Sequence, residues 1–319
     1  MSVAPKARAP RNRTLVLEVA EQARYEAALL TLTGPCVAAA VENRTLCQDS
    51  LSALDWLPTQ SFDLVFADPP YNLNKAFNQQ RFNKQPLADY EAWLEGWVSR
   101  LPRLLKPTGA VYVCGDWESS AALQSVLARH FILRNRITWE REKGRGASHN
   151  WKNCAEDIWW ATCTDDYVFN LEAVKLKRQV RAPYLHDDGQ PKDWQSAEAG
   201  RFRLTAPSNL WTDLTVPFWS MRENTDHPTQ KPEKLLAKIL LASTLPGAWV
   251  LDPFLGSGTT SVVAKKLGRR YLGIEQDRHY CCLAEKRLAL AALDPRIQGY
   301  EDGCFWERNS RPLRPKSQE

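Results

Sequence analysis

Metal-ligand patterns are missing from this sequence. Its eight cysteines contain no C-x-x-C and no regular spacing, and Cys281 and Cys282 are adjacent, so neither a zinc site nor a disulfide framework is indicated. The five histidines are scattered at no ligand spacing. No apolar stretch of spanning length and no secretory h-region occurs, which predicts a cytoplasmic protein with reduced thiols and no membrane partner. Internal repeats are absent. So are the G-x-G-x-x-G fingerprint and the G-K-[ST] P-loop, which argues against a dinucleotide or a nucleoside triphosphate as ligand. A large excess of charge of one sign is missing as well: a net +5 over 319 residues permits a nucleic-acid partner without demanding one. That length suffices for one large α/β domain or two smaller ones.

What the chain does have is Asp68-Pro69-Pro70-Tyr71 directly after the apolar run Leu64-Val65-Phe66-Ala67. A short apolar run ending in a rigid turn reads as a buried strand that delivers a carboxylate and an aromatic ring to its C-terminal end. Proline fixes its own φ and lacks an N–H, so the pair stiffens the turn and leaves carbonyl acceptors without competing donors. One carboxylate, one or two bare carbonyls and one stacking surface suit an exocyclic amino group on a flat ring, as on adenine, cytosine or guanine. By chance D-P-P-Y would occur in a chain of this length on the order of once in a thousand sequences. The bland alternative is a proline-stiffened strand end carrying a surface Asp.

Regular α/β alternation surrounds this turn. Residues 44–48 read as a strand, 50–57 as a short helix, 62–67 as the strand before the turn, and 87–105 as a helix that Pro102 should kink. A strand at 110–114, a helix at 119–130 and a strand at 132–139 follow. From about Gly144 to Asn224 the pattern turns irregular and rich in Arg, Lys, Asn, Trp and Pro, with isolated strands at 157–163 and 167–169. Such segments in α/β proteins are more often functional loops than accidents. Regularity then returns: a helix at 231–243, a strand at 249–252, a helix at 259–267, a strand at 271–275 and a closing helix at 277–293. The basic first dozen residues read as a flexible arm, and the run S-R-P-L-R-P-K-S reads as a disordered tail.

A second chemical motif lies in the loop Asp252-Pro253-Phe254-Leu255-Gly256-Ser257-Gly258-Thr259-Thr260. Two glycines allow backbone to approach a ligand, while Ser257, Thr259 and Thr260 offer hydroxyls and N–H groups at a helix N-terminus. Glu275 ends the next strand at the offset where an acidic side chain holds the two hydroxyls of a ribose. The plain alternative is a strand-to-helix turn.

Taken with His227-Pro228-Thr229-Gln230-Lys231-Pro232 between them, the order of these two motifs resembles the beta class of S-adenosylmethionine-dependent DNA amino-methyltransferases. The resemblance spans about Leu46 to Leu290. It implies an α/β fold: a Rossmann-like methyltransferase sheet, mostly parallel, with helices on both faces and an irregular inserted target-recognition region. Residues 1–40 would form a basic arm with a helix, 41–145 the catalytic half, 146–225 the target-recognition region, 226–294 the cofactor-binding half and 295–319 a tail.

The resemblance implies S-adenosylmethionine as cofactor and a flipped adenine N6 in duplex DNA as target. Cytosine N4 is the alternative, where relatives usually carry Ser in place of Asp68; a non-catalytic nucleic-acid-binding module is a more distant one. Asp68, Pro69, Pro70 and Tyr71 would form the catalytic turn. Asp49, Asp252, Phe254, Gly256, Ser257, Gly258, Thr259, Thr260 and Glu275 would bind the cofactor, with Asp49 on its adenine amino group. His227, Thr229 and Lys231 would lie over its methionine end. DNA contacts are expected from Lys75, Arg81 and Lys84 beside the target base, and from Arg141, Lys143, Arg145, Lys152 and Arg178 in the irregular region. A cognate restriction endonuclease and a second copy of the chain are further candidate partners.

Overall fold

The computed structural model describes residues 9–77, 80–141, 148–180, 184–197 and 200–308. Its strands are β1 (Arg44–Cys47), β2 (Phe62–Ala67), β3 (Lys75–Phe77), β4 (Gln80–Phe82), β5 (Leu105–Gly115), β6 (Ile132–Glu140), β7 (Ala155–Thr162), β8 (Leu176–Gln179), β9 (Gln195–Ala197), β10 (Gly200–Thr205), β11 (Leu210–Trp211), β12 (Trp249–Asp252), β13 (Arg270–Glu275), β14 (Tyr300–Glu301) and β15 (Cys304–Trp306). The helices are α1 (Val19–Glu26), α2 (Ala38–Val41), α3 (Ser50–Leu54), α4 (Leu87–Val98), α5 (Leu101–Leu104), α6 (Ser120–His130), α7 (Glu233–Ser243), α8 (Thr259–Lys266) and α9 (Arg278–Leu293). None is long and apolar enough to cross a membrane among the described residues.

Eight strands form the main sheet in the order β1-β13-β12-β2-β5-β7-β6-β11. Only β7 runs against its neighbours β5 and β6; the other pairs are parallel. The chain steps outward from β2 to β5 in one direction and from β12 to β13 in the other. The crevice between β2 and β12 is therefore the switch point where ligands of open α/β sheets bind. Because β7 is reversed, its first residues lie at the same sheet edge as the last residues of β2, β5 and β6.

Strand period explains the two cores. Leu64, Phe66, Tyr112 and Cys114 point to the face covered by α7, α8 and α9. Their alternates Val65, Ala67, Val111 and Val113 face α3, α4 and α6. Pro102 does interrupt the helix expected at 87–105: α4 stops at Val98, and α5 restarts with Pro102 in its first turn.

The irregular region contains more order than the sequence suggests. A second, five-stranded sheet runs β14-β15-β8-β10-β9. Two of its strands come from residues 300–306, a segment read from sequence as part of a tail; β15 pairs with β8 through Phe305 and Leu176. The strand expected at 167–169 does not form. Tyr167 and Phe169 instead pack their rings on Trp160 at 5.6 and 5.1 Å, so their aromatic character serves packing rather than pairing.

Candidate active site

The parallel pairing of β12 with β2 brings the two motifs together. One cleft of about 360 Å³ is lined by Asp68, Pro69, Pro70 and Tyr71 on one side. Asp49, Asp252, Phe254, Gly256, Ser257, Thr259, Thr260 and Glu275 line the other, and His227, Thr229 and Lys231 close it. Pocket size and polarity suit a nucleoside-sized ligand.

The glycine loop is held by specific contacts. Gly256 sits at φ +54, and a Cβ there would lie 2.9 Å from His227 Nε2. Gly258 sits at φ +89, and a Cβ there would lie 2.6 Å from the Ala284 Cβ on α9. Only glycine satisfies both the left-handed backbone and the close approach. Glu275 accepts the Gly256 N–H at 2.9 Å and the Asp277 N–H at 2.8 Å, which fixes its carboxylate at the rim. Asp252 accepts from Thr260 Oγ1 at 2.5 Å and from the Phe254 N–H at 2.9 Å. Burial nevertheless pushes the Asp252 carboxyl up to about 7. The Phe254 ring is braced edge-on by Trp97 at 5.1 Å. Asp49 caps α3 by accepting the Ser52 N–H at 3.1 Å, so its carboxylate also has a local structural task.

The D-P-P-Y turn carries an ionic cluster that no motif announces. Lys231 Nζ lies 2.6 Å from Asp68 Oδ2 and 3.4 Å from Glu156 Oε2. Lys231, expected over the cofactor's methionine end, lines the cleft and extends its ammonium to the Asp68 carboxylate. The Tyr71 hydroxyl lies 3.0 Å from both Asp68 Oδ1 and Glu156 Oε2. Arg141 Nη1 donates to Glu156 Oε1 at 2.6 Å. Burial, then the Glu156 charge, raise the Asp68 carboxyl in spite of Lys231. Burial opposes the Glu156 charge too, but Lys231 and Arg141 outweigh it and hold that carboxyl below its usual range. Burial likewise works against the Lys231 ammonium, and the two carboxylates reverse this and raise it. The Pro70 carbonyl accepts from Tyr90 at 3.0 Å, whereas the Pro69 carbonyl has no hydrogen-bond partner among the described residues.

Three residues of this site were missed in the sequence. Glu156 and Tyr280 line the cleft without belonging to a motif. Arg287, on α9, donates to the Ser257 carbonyl at 2.9 Å, to Thr259 Oγ1 at 3.0 Å and to Glu233 Oε1 at 3.1 Å. Thr259 in turn donates to the Lys231 carbonyl at 3.1 Å, which joins the glycine loop to the His227–Pro232 segment.

The expected DNA contacts scatter. Arg141 belongs to the cluster just described. Lys84 pairs with Glu118, and Lys152 lies exposed on the segment before β7. Arg178 lies on β8 of the second sheet, 3.4 Å from Glu307. There Lys177 covers the Trp306 ring at 4.5 Å and Arg201 the Trp194 ring at 5.0 Å. Lys75 and Arg81 fall on β3 and β4, while Lys143 and Arg145 lie outside the described residues.

Comparison with known proteins agrees with this geometry. Residues 62–286 match the DNA methylase family N6_N4_Mtase. The chain is 32% identical over 253 residues to the DNA adenine methyltransferase YhdJ of Escherichia coli (strain K12), covering 76% of this chain and 82% of that one. It is 33% identical over 258 residues to the type II methyltransferase M.BglII of Bacillus subtilis, covering 77% and 69%. Against the type II methyltransferase M2.DpnII of Streptococcus pneumoniae it is 32% identical over 258 residues, covering 75% and 87%. Among solved structures, the M1.HpyAVI–SAM complex superposes with a TM-score of 0.53 at 24% identity, over 76% of this chain and 98% of that one. The cytosine-N4-specific PvuII DNA methyltransferase superposes at 0.57 and 20%, over 82% and 88%, which shows a shared fold.

Proposed function

This chain belongs to the DNA methylase family, and from that premise we propose that it transfers a methyl group from S-adenosylmethionine to N6 of an adenine flipped out of duplex DNA. One observation carries the reading: turn and loop, nearly two hundred residues apart in sequence, open into a single cleft because β2 and β12 are neighbours. The residues present fit the cofactor. The Gly256 and Gly258 backbone forms a cradle that a Cβ would fill, and the fixed Glu275 carboxylate stands where ribose hydroxyls would donate. Phe254, Asp252, Ser257 and Thr260 complete that side, with Asp49 at the adenine end and His227 and Thr229 at the other.

Bound there, S-adenosylmethionine supplies a sulfonium-activated methyl group for direct in-line displacement. The chain's own work is orientation. Asp68 and the Pro69 carbonyl accept the two hydrogens of N6, which brings the nitrogen closer to tetrahedral and turns its lone pair toward the methyl. As N6 gains the new bond and positive charge, Asp68 accepts the departing proton. Its raised affinity for a proton in this buried setting suits that role. Tyr71 offers its ring to the base, a contact worth about 1–3 kcal/mol in single-strand binders.

Adenine is favoured over cytosine because an Asp, not a Ser, opens the turn and because YhdJ is named for adenine. The second sheet, with Lys177, Arg178, Arg201 and Arg203 on β8 and β10, is the surface assigned to target recognition. Lys75, Arg81, Lys84 and Lys152 are assigned to the DNA backbone, and Arg141 to the ionic cluster around Glu156. A restriction endonuclease acting on the same site, a second copy of the chain and a place in the bacterial cytosol or nucleoid complete the reading.

Single-molecule sequencing of DNA from cells expressing the protein tests it. The expected result is N6-methyladenine at one sequence motif, lost in Asp68→Ala while cofactor binding persists. N4-methylcytosine would overturn the adenine assignment, and unmodified DNA the reaction itself.

A further inference from the structure

Glu156 belongs to no sequence motif, yet it sits inside the ionic cluster under the D-P-P-Y turn. Two donors in that cluster each face two carboxylates. Lys231 Nζ lies 2.6 Å from Asp68 Oδ2 and 3.4 Å from Glu156 Oε2. The Tyr71 hydroxyl is 3.0 Å from Asp68 Oδ1 and 3.0 Å from Glu156 Oε2, and its single hydrogen serves only one of them at a time. As found, both oxygens of Asp68 are engaged, one by Lys231 and one by Tyr71. An amino group arriving at Asp68 must compete with both.

Building on the methyl-transfer reading above, we propose that Glu156 is a positioning residue that takes over the Lys231 ammonium and the Tyr71 hydroxyl when the target amino group bonds to Asp68. Without such a receiver the displaced ammonium would be a buried, unpaired charge, since the Lys231 side chain is 6% exposed. With it, each donor shifts a short way between oxygens that it already faces. Glu156 is built to stay put during the exchange. Its backbone pairs with Trp139 of β6, and Arg141 grips Oε1 at 2.6 Å, which leaves Oε2 to receive.

The electrostatics agree with a division of labour. Burial and the neighbouring Glu156 charge raise Asp68 toward proton acceptance, while Lys231 and Arg141 overcome burial to keep Glu156 ionised. Two carboxyls whose surroundings drive their proton affinities apart commonly hold different roles.

Glu156→Gln tests this, because it preserves size and removes the charge. Single-turnover methyl transfer is expected to slow about 30- to 100-fold, with S-adenosylmethionine affinity within about twofold of the parent. The acidic limb of the pH–rate profile should move to lower pH by roughly one unit, since a like charge beside Asp68 is gone. That shift reports the Glu156 charge at Asp68, while a rate loss that persists on the pH plateau, where Asp68 is ionised in both proteins, reports the exchange. In the Glu156→Gln background, Lys231→Met should cost less than the product of the two single losses, because the two residues act on one exchange. An unchanged rate in Glu156→Gln, an unmoved acidic limb, multiplicative losses, or loss of cofactor binding together with the fold would each overturn the proposal. Asp68→Asn separates it from its premise. Should Asp68→Asn still methylate, the parent reading falls; a dead Asp68→Asn beside a fully active Glu156→Gln defeats only the role given to Glu156.

Discussion

Replacing Arg287 by Met asks whether the cofactor loop is held from behind by one buried cation. The side chain is 2% exposed and donates to Ser257, Thr259 and Glu233, bonds that an aliphatic chain of similar length cannot make. Glu233 loses Arg287 but keeps Lys266, whose Nζ lies 2.6 Å from Oε2, so the cost belongs near the low end for a broken buried pair, about 3 kcal/mol. The Ser257 carbonyl and Thr259 Oγ1 lose a donor, for roughly another 1–2 kcal/mol together. The sum of about 4–5 kcal/mol corresponds to a fall in Tm of roughly 6–8 °C for a chain of this size. Because the loss falls on the segment from Ser257 to Thr259, affinity for S-adenosylmethionine should drop as well. Saturating cofactor should then recover part of the lost Tm by mass action. Thermal unfolding with and without cofactor, beside a calorimetric titration, measures both quantities. A Tm within 2 °C of the parent, or a normal affinity in a destabilised variant, would refute the argument that Arg287 couples loop to core.

Two further tests address neighbouring features. Gly256→Ala places a Cβ 2.9 Å from His227 Nε2 at a φ of +54, so the His227 ring must leave its edge-on contact with Tyr280; cofactor affinity is expected to fall about tenfold, read by titration. Glu223 provides a pH test. Burial first, then the Glu233 charge, push its carboxyl from about 4.5 up to about 8, so the folded protein keeps a proton that the unfolded chain releases. Stability should therefore decline as pH rises from about 4.5 to 8 and level off above, by on the order of 5 kcal/mol in total. Asp252, raised to about 7, adds to the slope only up to that pH. Glu223→Gln mimics the protonated form and should flatten the interval from pH 7 to 8 in chemical denaturation; an unaltered slope there would exclude Glu223 as its source.

The sequence made legible whatever depended on local chemistry. An apolar run ending in Pro-Pro signals a strand and a stiff turn, and β2 with Asp68 at its end follows. The offset between Gly256 and Glu275 signals a strand–loop–helix–strand unit, which is what β12, α8 and β13 form. Pro102 divides a helical pattern for the steric reason anticipated. Glu156 was hidden because its place depends on β7 returning against β5, a pairing between residues far apart in sequence. Arg287 was hidden because nothing in the α9 sequence distinguishes it from a solvated cation; packing against α8 and the glycine loop buries it. The second sheet was illegible because β8, β9 and β15 are three or four residues long, and β8 and β9 are largely polar.

The position of β15 bears on how the chain reaches its native state. Its partner β8 leaves the ribosome long before residues 304–306 are made, yet β15 lies between β8 and β14 in the finished sheet. Throughout that interval one side of β8 displays unpaired N–H and C=O groups, and the buried face of Leu176 waits for Phe305. Strand closure across so long a loop is slow. Nascent and heat-stressed molecules should therefore be most vulnerable to edge-to-edge misassociation at this seam.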